Sequence, residues 1–166
     1  MLNGSGGRGD VYRQDENNVF GSPFVFRGFE TEEIVETETI YAIGDIGPGG
    51  GRVFSVSADG TSGLEAAPVD QSTGVQWCNS FTDIPEVKNL GFNLTISDPN
   101  SGAENTPRII DVCGGGDSSA AGVAAAYEWP NGQTDGFLPN REELDLLFNQ
   151  RNVVGGFGNA GYWSSS

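Results

Sequence analysis

The most constraining feature of the chain is a short run near its end, Phe137-Leu138-Pro139-Asn140-Arg141-Glu142-Glu143-Leu144. Asn140 suits the N-cap of a helix, because its side-chain oxygen can accept from an amide of the first turn that has no helical partner. Glu143, three residues on, can return the favour to the Asn140 amide and complete a capping box. Glu142 and Glu143 also stand at the positive end of the helix dipole, where anions are favoured. Leu144, Leu147 and Phe148 recur at i, i+3 and i+4, so one face of this helix is expected to be buried. Pro139 holds the incoming chain extended, and Gly155, Gly156 and Gly158 end any helix that follows. Gly161-Tyr162-Trp163-Ser164-Ser165-Ser166 then reads as an aromatic and serine strand with Trp163 in the interior.

Upstream, the pattern changes from helical to strand-like. Ile40, Ala42 and Ile46 alternate, Gly47 to Gly51 form a turn, and Val53 to Ser57 a second strand. Asp59-Gly60 is a hairpin turn returning into Leu64 to Ala67. Val75-Gln76-Trp77-Cys78 reads as a further short buried strand. The glycine run invites a phosphate-loop reading, but such a loop needs a helix after it, and Arg52-Val53-Phe54-Ser55-Val56 is strand. Residues 81–102 read as a long surface loop, marked by Pro85, Pro99, Asn100 and Gly102. Within it, Asn93-Leu94-Thr95 is a glycosylation sequon.

Thr106-Pro107 predicts an N-cap followed by proline at the first helical position, with Ile109, Ile110 and Cys113 on one face. Gly114 to Gly116 interrupt that helix. Ser118 or Ser119 caps a second one, rich in alanine and running to Tyr127, with small residues at Ala121, Gly122, Ala124 and Ala125 for close packing. Pro130-Asn131-Gly132 is a turn. Residues 1–38 differ from the rest. They hold a Gly/Ser tract with Arg8-Gly9-Asp10, short aromatic runs at Val19-Phe20 and Phe24-Val25-Phe26, and a Glu/Thr-rich connector from Glu30 to Glu38. We read them as a linker or the remnant of an upstream domain, and 39–166 as one domain.

Charge and composition narrow the function. The formal net charge is -15, with 8 Lys and Arg against 23 Asp and Glu, which excludes a phosphate-tracking nucleic-acid surface and disfavours an anionic membrane. No run approaches the length of a membrane span, and the amino terminus lacks the apolar segment of a signal peptide. The chain has 0 His, which removes Ser-His and Cys-His nucleophilic catalysis and any histidine metal site. With so many acids, no one carboxylate pair marks a glycosidase. Calcium remains the cofactor these loops would suit, since Asp, Asn and backbone carbonyls are hard oxygen ligands. Asp98-Pro99-Asn100 and Glu128-Trp129-Pro130-Asn131 echo a Glu-Pro-Asn sugar-binding signature, although the second is better read as a turn.

The pattern Asp135-x-Phe137-Leu138-Pro139-Asn140-x-x-Glu143-Leu144, a short helix, a glycine-rich turn and Tyr162-Trp163-Ser164-Ser165 resembles the C-terminal domain of Lcl-type bacterial collagen-like adhesins. The resemblance extends to Ile43 through Phe54, to Gly63 through Pro68 and to Glu104-Asn105-Thr106, covering roughly Ile40 to Ser166. It differs in having Gly136-Phe137 where the family usually has Trp before Leu-Pro. Family members also continue past the Tyr-Trp-Ser-Ser piece, so the domain is expected to be C-terminally incomplete, with a bare edge near Ile40 to Ala42. The implied fold is α+β and C-type-lectin-like: a small twisted antiparallel sheet, two or three short helices and long loops. The implied function is non-catalytic adhesion or receptor binding, extracellular or on a cell surface or virion. The implied partner is a glycan, glycosaminoglycan or protein, and the implied setting a fibre, phage tail or homo-oligomer. The alternatives are a structural or assembly subunit and, third, a hydrolase. Asn131, Asp135, Asn159, Tyr162 and Trp163 are the candidate ligand residues. An extracellular family makes a Cys78–Cys113 disulfide one reading of the two cysteines, and two buried free thiols the other.

Overall fold

A computed structural model describes residues 38–72, 74–79, 83–90, 97–157 and 161–166. The expectations for Arg8-Gly9-Asp10, the early aromatic runs, the Asn93 sequon and Asn159 lie outside these residues. The architecture is mixed α+β. Strand β1 (Arg52–Val56) pairs antiparallel with β2 (Gly63–Ala66), and helices α1 (Gly102–Cys113), α2 (Ala120–Ala125), α3 (Arg141–Asn149) and α4 (Arg151–Val154) follow, with a single 3-10 turn at Gly116–Ser118. Among the described residues four helices thus stand where two or three are expected, because α3 is followed by one further short turn of helix.

The hairpin forms where glycine and aspartate signals placed it. Ser57 and the Asp59 carboxylate organise the turn, and Gly60 takes a φ of 73° there. The register slips between Val53 and Ser55, so Phe54 is an extra residue in β1. That bulge lets the neighbours Val53 and Phe54 both be buried, where a regular strand would send them to opposite faces. The segment before the hairpin is not a strand. Tyr41 donates to the Gly60 carbonyl and Gly44 to that of Val53, but among the described residues the segment's ladder pairing is one isolated bridge, Ile46 to Arg52. Ile40 is 71% exposed.

The glycine run serves the fold. Gly49 and Gly51 donate their amides to Oε1 and Oε2 of Glu65, each at 2.7 Å. A side chain at Gly51 would come within 2.8 Å of the Trp129 ring, so the turn can lie under that indole only as glycine. The carboxylate of β2 therefore fills the anion-binding concavity that successive amides create.

The interior is built on the helices. Ile109, Cys113, Ala120, Ala121, Leu138 and Ile84 form the buried cluster, with Val75, Trp77, Cys78 and Ile110 packed against it. Cys78 and Cys113 are joined in a disulfide, closing a separation of 35 residues inside this cluster. The 75–78 segment is not a strand. It lies as an irregular extended run whose Gln76 and Trp77 carbonyls accept from the Ala120 amide, at 3.0 and 3.4 Å, at the start of α2. Ser119 caps α2 as expected, its Oγ accepting from Gly122 at 3.0 Å.

Helix α1 begins five residues before the position predicted from Thr106-Pro107. Its N-cap is Ser101, with Glu104 completing a capping box, so Pro107 lies inside the helix. Proline there leaves the carbonyl of Ala103 without its helical donor, and Ala103 is exposed, so water can satisfy it.

The last segment, 161–166, is extended but joins no sheet. Its backbone tie is Ser165 N–H to the Pro139 carbonyl at 2.8 Å, and Ser165 is fully buried. Trp163 is 52% exposed and Phe148 51%, contrary to the expected burial, while Leu144 and Leu147 are half-buried. The reason is visible in how these elements are held. Helix α3 is anchored through polar contacts at its N-terminus, and Trp163 lies along the outside of the 75–78 run, donating its indole N–H to the Val75 carbonyl at 3.0 Å.

Candidate functional site

The site begins with a polar junction that fixes where α3 points. Asn140 accepts from Glu143 N–H at 2.8 Å, and Glu143 Oε2 accepts from Asn140 N–H at 2.8 Å, completing the expected capping box. The same Glu143 carboxylate accepts from Gly102 N–H, at 3.3 and 3.1 Å, the first amide of α1. One acid therefore sits at the positive ends of two helices. Asn140 also donates to the Asn100 carbonyl at 2.9 Å. Thr106 donates its hydroxyl to the Gly102 carbonyl at 2.7 Å and accepts from Leu138 N–H at 2.9 Å.

Asn105, fully buried, donates from Nδ2 to Asp98 at 3.0 Å and to Ser165 at 3.3 Å. Arg141 N–H donates to the Ser166 hydroxyl at 3.3 Å. The start of α1, the start of α3 and the last residues are thereby locked together.

Beyond this junction, α3 carries one wall of an open pocket of about 290 Å³, lined by Arg141, Leu144, Asp145, Phe148, Phe157 and Tyr162. Gly155 and Gly156, both at positive φ, turn the chain after α4 and bring Phe157 back toward α3. The rings meet edge to face. Phe148 and Phe157 have centroids 6.4 Å apart with planes at 87°, and Phe157 and Tyr162 are 5.2 Å apart at 67°. Arg151 places its guanidinium 4.2 Å from the Phe148 centroid. Tyr162 donates its hydroxyl to Asp70 at 3.1 Å. Arg141 is paired with Glu142 at 3.0 Å, and Glu142 also accepts from Asp98 N–H. Aromatic faces bordered by a few charged groups are the chemistry of sites that hold the apolar face of a sugar or a cationic group.

The candidate residues fall in different places. Tyr162 lines the pocket, and Trp163 follows it on the exposed surface beside Val75. Asn131 lies in the Trp129–Gly132 turn, where it donates to the Pro48 carbonyl at 3.0 Å and bonds with Gln133. Asp135 is exposed on the connection leading to α3. Sequence reasoning did not name Phe148, Phe157 or Asp145 as site residues. Helical spacing marks Phe148 as core, and Gly155 and Gly156 signal a turn before Phe157 without saying which element it is brought back to.

Among the described residues no group of three or more His, Cys, Asp or Glu is placed to share a metal ion. No described helix is long and apolar enough to cross a membrane. Compared with family models, curated proteins and solved structures, the chain matches none.

Proposed function

We propose that the chain is a non-catalytic binding module, a lectin-like adhesin or receptor-binding domain displayed on a surface, fibre or virion, with the aromatic pocket as its contact face. The observation that carries this reading is the edge-to-face set of Phe148, Phe157 and Tyr162 around an open pocket. Phe148 stands half exposed on a helix anchored elsewhere by polar contacts, with Phe157 and Tyr162 part-buried beside it, so the set is available to a ligand at little conformational cost. The motif resemblance to Lcl-type adhesin domains implies an interior Trp163, which is 52% exposed here, so the reading rests on the pocket, with glycan or protein as the ligand. A lack of histidine turns it away from Ser-His and Cys-His hydrolysis, and an acidic balance away from nucleic acid.

An assembly subunit is the second reading, favoured by a specific observation. Ile40, Ile43 and Ile46 are all exposed within seven residues, a surface suited to burial against another chain. The test is to immobilise the full chain on a glycan array and measure its sedimentation in parallel. Saturable capture that falls in Tyr162→Ala supports the pocket as the contact face. Capture unaffected by that change, or concentration-dependent association with no capture, would overturn it.

A further inference from the structure

Resting on the reading of the aromatic pocket as the ligand face, we infer that its ligand group is a quaternary ammonium of the choline type rather than an acidic or sulfated sugar. The rings supply the first reason. Aromatic faces carry negative quadrupole potential, and Phe148, Phe157 and Tyr162 meet edge to face and line one small volume instead of stacking on each other. Arg151 already covers one face of Phe148, so the incoming group meets Phe157 and Tyr162 and relies on the carboxylates to offset that guanidinium.

The carboxylates supply the second reason. Asp145 lines the pocket, and its hydrogen bond from Asn149 Nδ2 is a long one, 3.4 Å, which leaves its charge little neutralised. Asp70 accepts the Tyr162 hydroxyl, which draws electron density into the phenol ring and strengthens its hold on a cation. The cation in the lining, Arg141, is paired with Glu142. With a net charge of -15 on the chain, a sulfate or phosphate approaches against the field and a cation with it. A trimethylammonium group is weakly hydrated and apolar at its rim, so it exchanges water for ring faces at less cost than a primary ammonium does.

The experiment titrates choline chloride into the full chain while following amide and aromatic NMR shifts of α3 and of Tyr162. A second arm uses 3,3-dimethylbutan-1-ol, which has the same shape without the charge. Choline is expected to saturate with shifts centred on Phe148, Phe157 and Tyr162, and the neutral alcohol to bind about tenfold more weakly. Asp145→Asn, an exposed change, is expected to weaken choline about threefold, and Phe157→Leu to remove the effect. Equal binding of the two compounds, or choline shifts lying away from the pocket, would overturn the inference. If neither compound binds but Tyr162-dependent glycan capture persists, the cation inference falls while the binding-module reading stands. If capture is absent as well, both fall.

Discussion

Replacing Glu143 by alanine tests the central claim about how α3 is held. The side chain accepts from Asn140 N–H at 2.8 Å and from Gly102 N–H at 3.1 Å, so its removal strips one acceptor from each of two helix starts. A lost cap costs about 1 kcal/mol, and a lost anion at a helix N-terminus about 0.3–1 kcal/mol. Two helices at these rates give roughly 3 kcal/mol, and the longer Gly102 bond, made by a carboxylate already shared with Asn140, reduces this to about 2 kcal/mol. Glu143→Gln keeps an acceptor oxygen and loses the charge, so it should cost about 1 kcal/mol.

Urea unfolding under oxidising conditions reads both, the midpoint falling by about 1 M for the alanine variant at unchanged m. Glu142→Ala is the comparison, because Glu142 bonds only Asp98 N–H and its neighbour Arg141 among the contacts described, and should cost less than half as much. A loss of about 1 kcal/mol or less for Glu143→Ala, the size of one cap, would refute the shared-acid argument. So would a glutamine variant as unstable as the alanine one.

Three further outcomes follow from the geometry. Reducing the Cys78–Cys113 bond, with its separation of 35 residues, should lower stability by roughly 4 kcal/mol on the chain-entropy account, measured by urea titration with and without reductant. Gly102→Ala places a Cβ against the Leu138 carbonyl and within 2.8 Å of Asn140 N, both backbone, so it should cost about 2–4 kcal/mol, far beyond helix propensity, which would favour alanine. The Glu104 carboxyl is held below its ordinary value, chiefly by the Ser101 amide and then by the Ser101 hydroxyl. Its stabilising contribution is therefore full above the ordinary glutamate value of 4.5 and is lost as pH falls through the lower folded value. Carbon-detected NMR should place its midpoint below that of a free glutamate, and Glu104→Gln should flatten this part of the acid limb.

Features written within a few residues of each other were legible. The Asn140 and Glu143 box, the Ser119 cap, the Asp59-Gly60 turn and the Pro130-Asn131-Gly132 turn were readable because each is completed by a partner at most four positions away. Where two local signals competed, sequence reasoning chose the wrong one. Thr106-Pro107 looks like a helix start, yet Ser101 and Glu104 provide it with a full capping box, and Gly102 then lies close against Leu138 and Asn140.

Extended segments were misread for a different reason. Val75 to Cys78 and Gly161 to Ser166 have strand-like composition, but an alternating pattern holds no record of whether a neighbour will offer a ladder. The pocket was half legible. Tyr162 was named, and Phe148 was assigned to the core because helical spacing marks a face as apolar without saying what covers it.

The two tryptophans of the 75–78 and 161–166 segments do work that backbone pairing does in a sheet. Trp77 donates its indole N–H to the Ser164 carbonyl at 2.7 Å, and Trp163 donates back to that of Val75. A seam stitched by side-chain tips holds two stretches at a set spacing while placing no demand on their register or on their amides. Changing either indole to phenylalanine would keep the flat ring and cut one stitch, and since the Tyr162 wall hangs on that seam, the shape of the pocket is set in part from its far side.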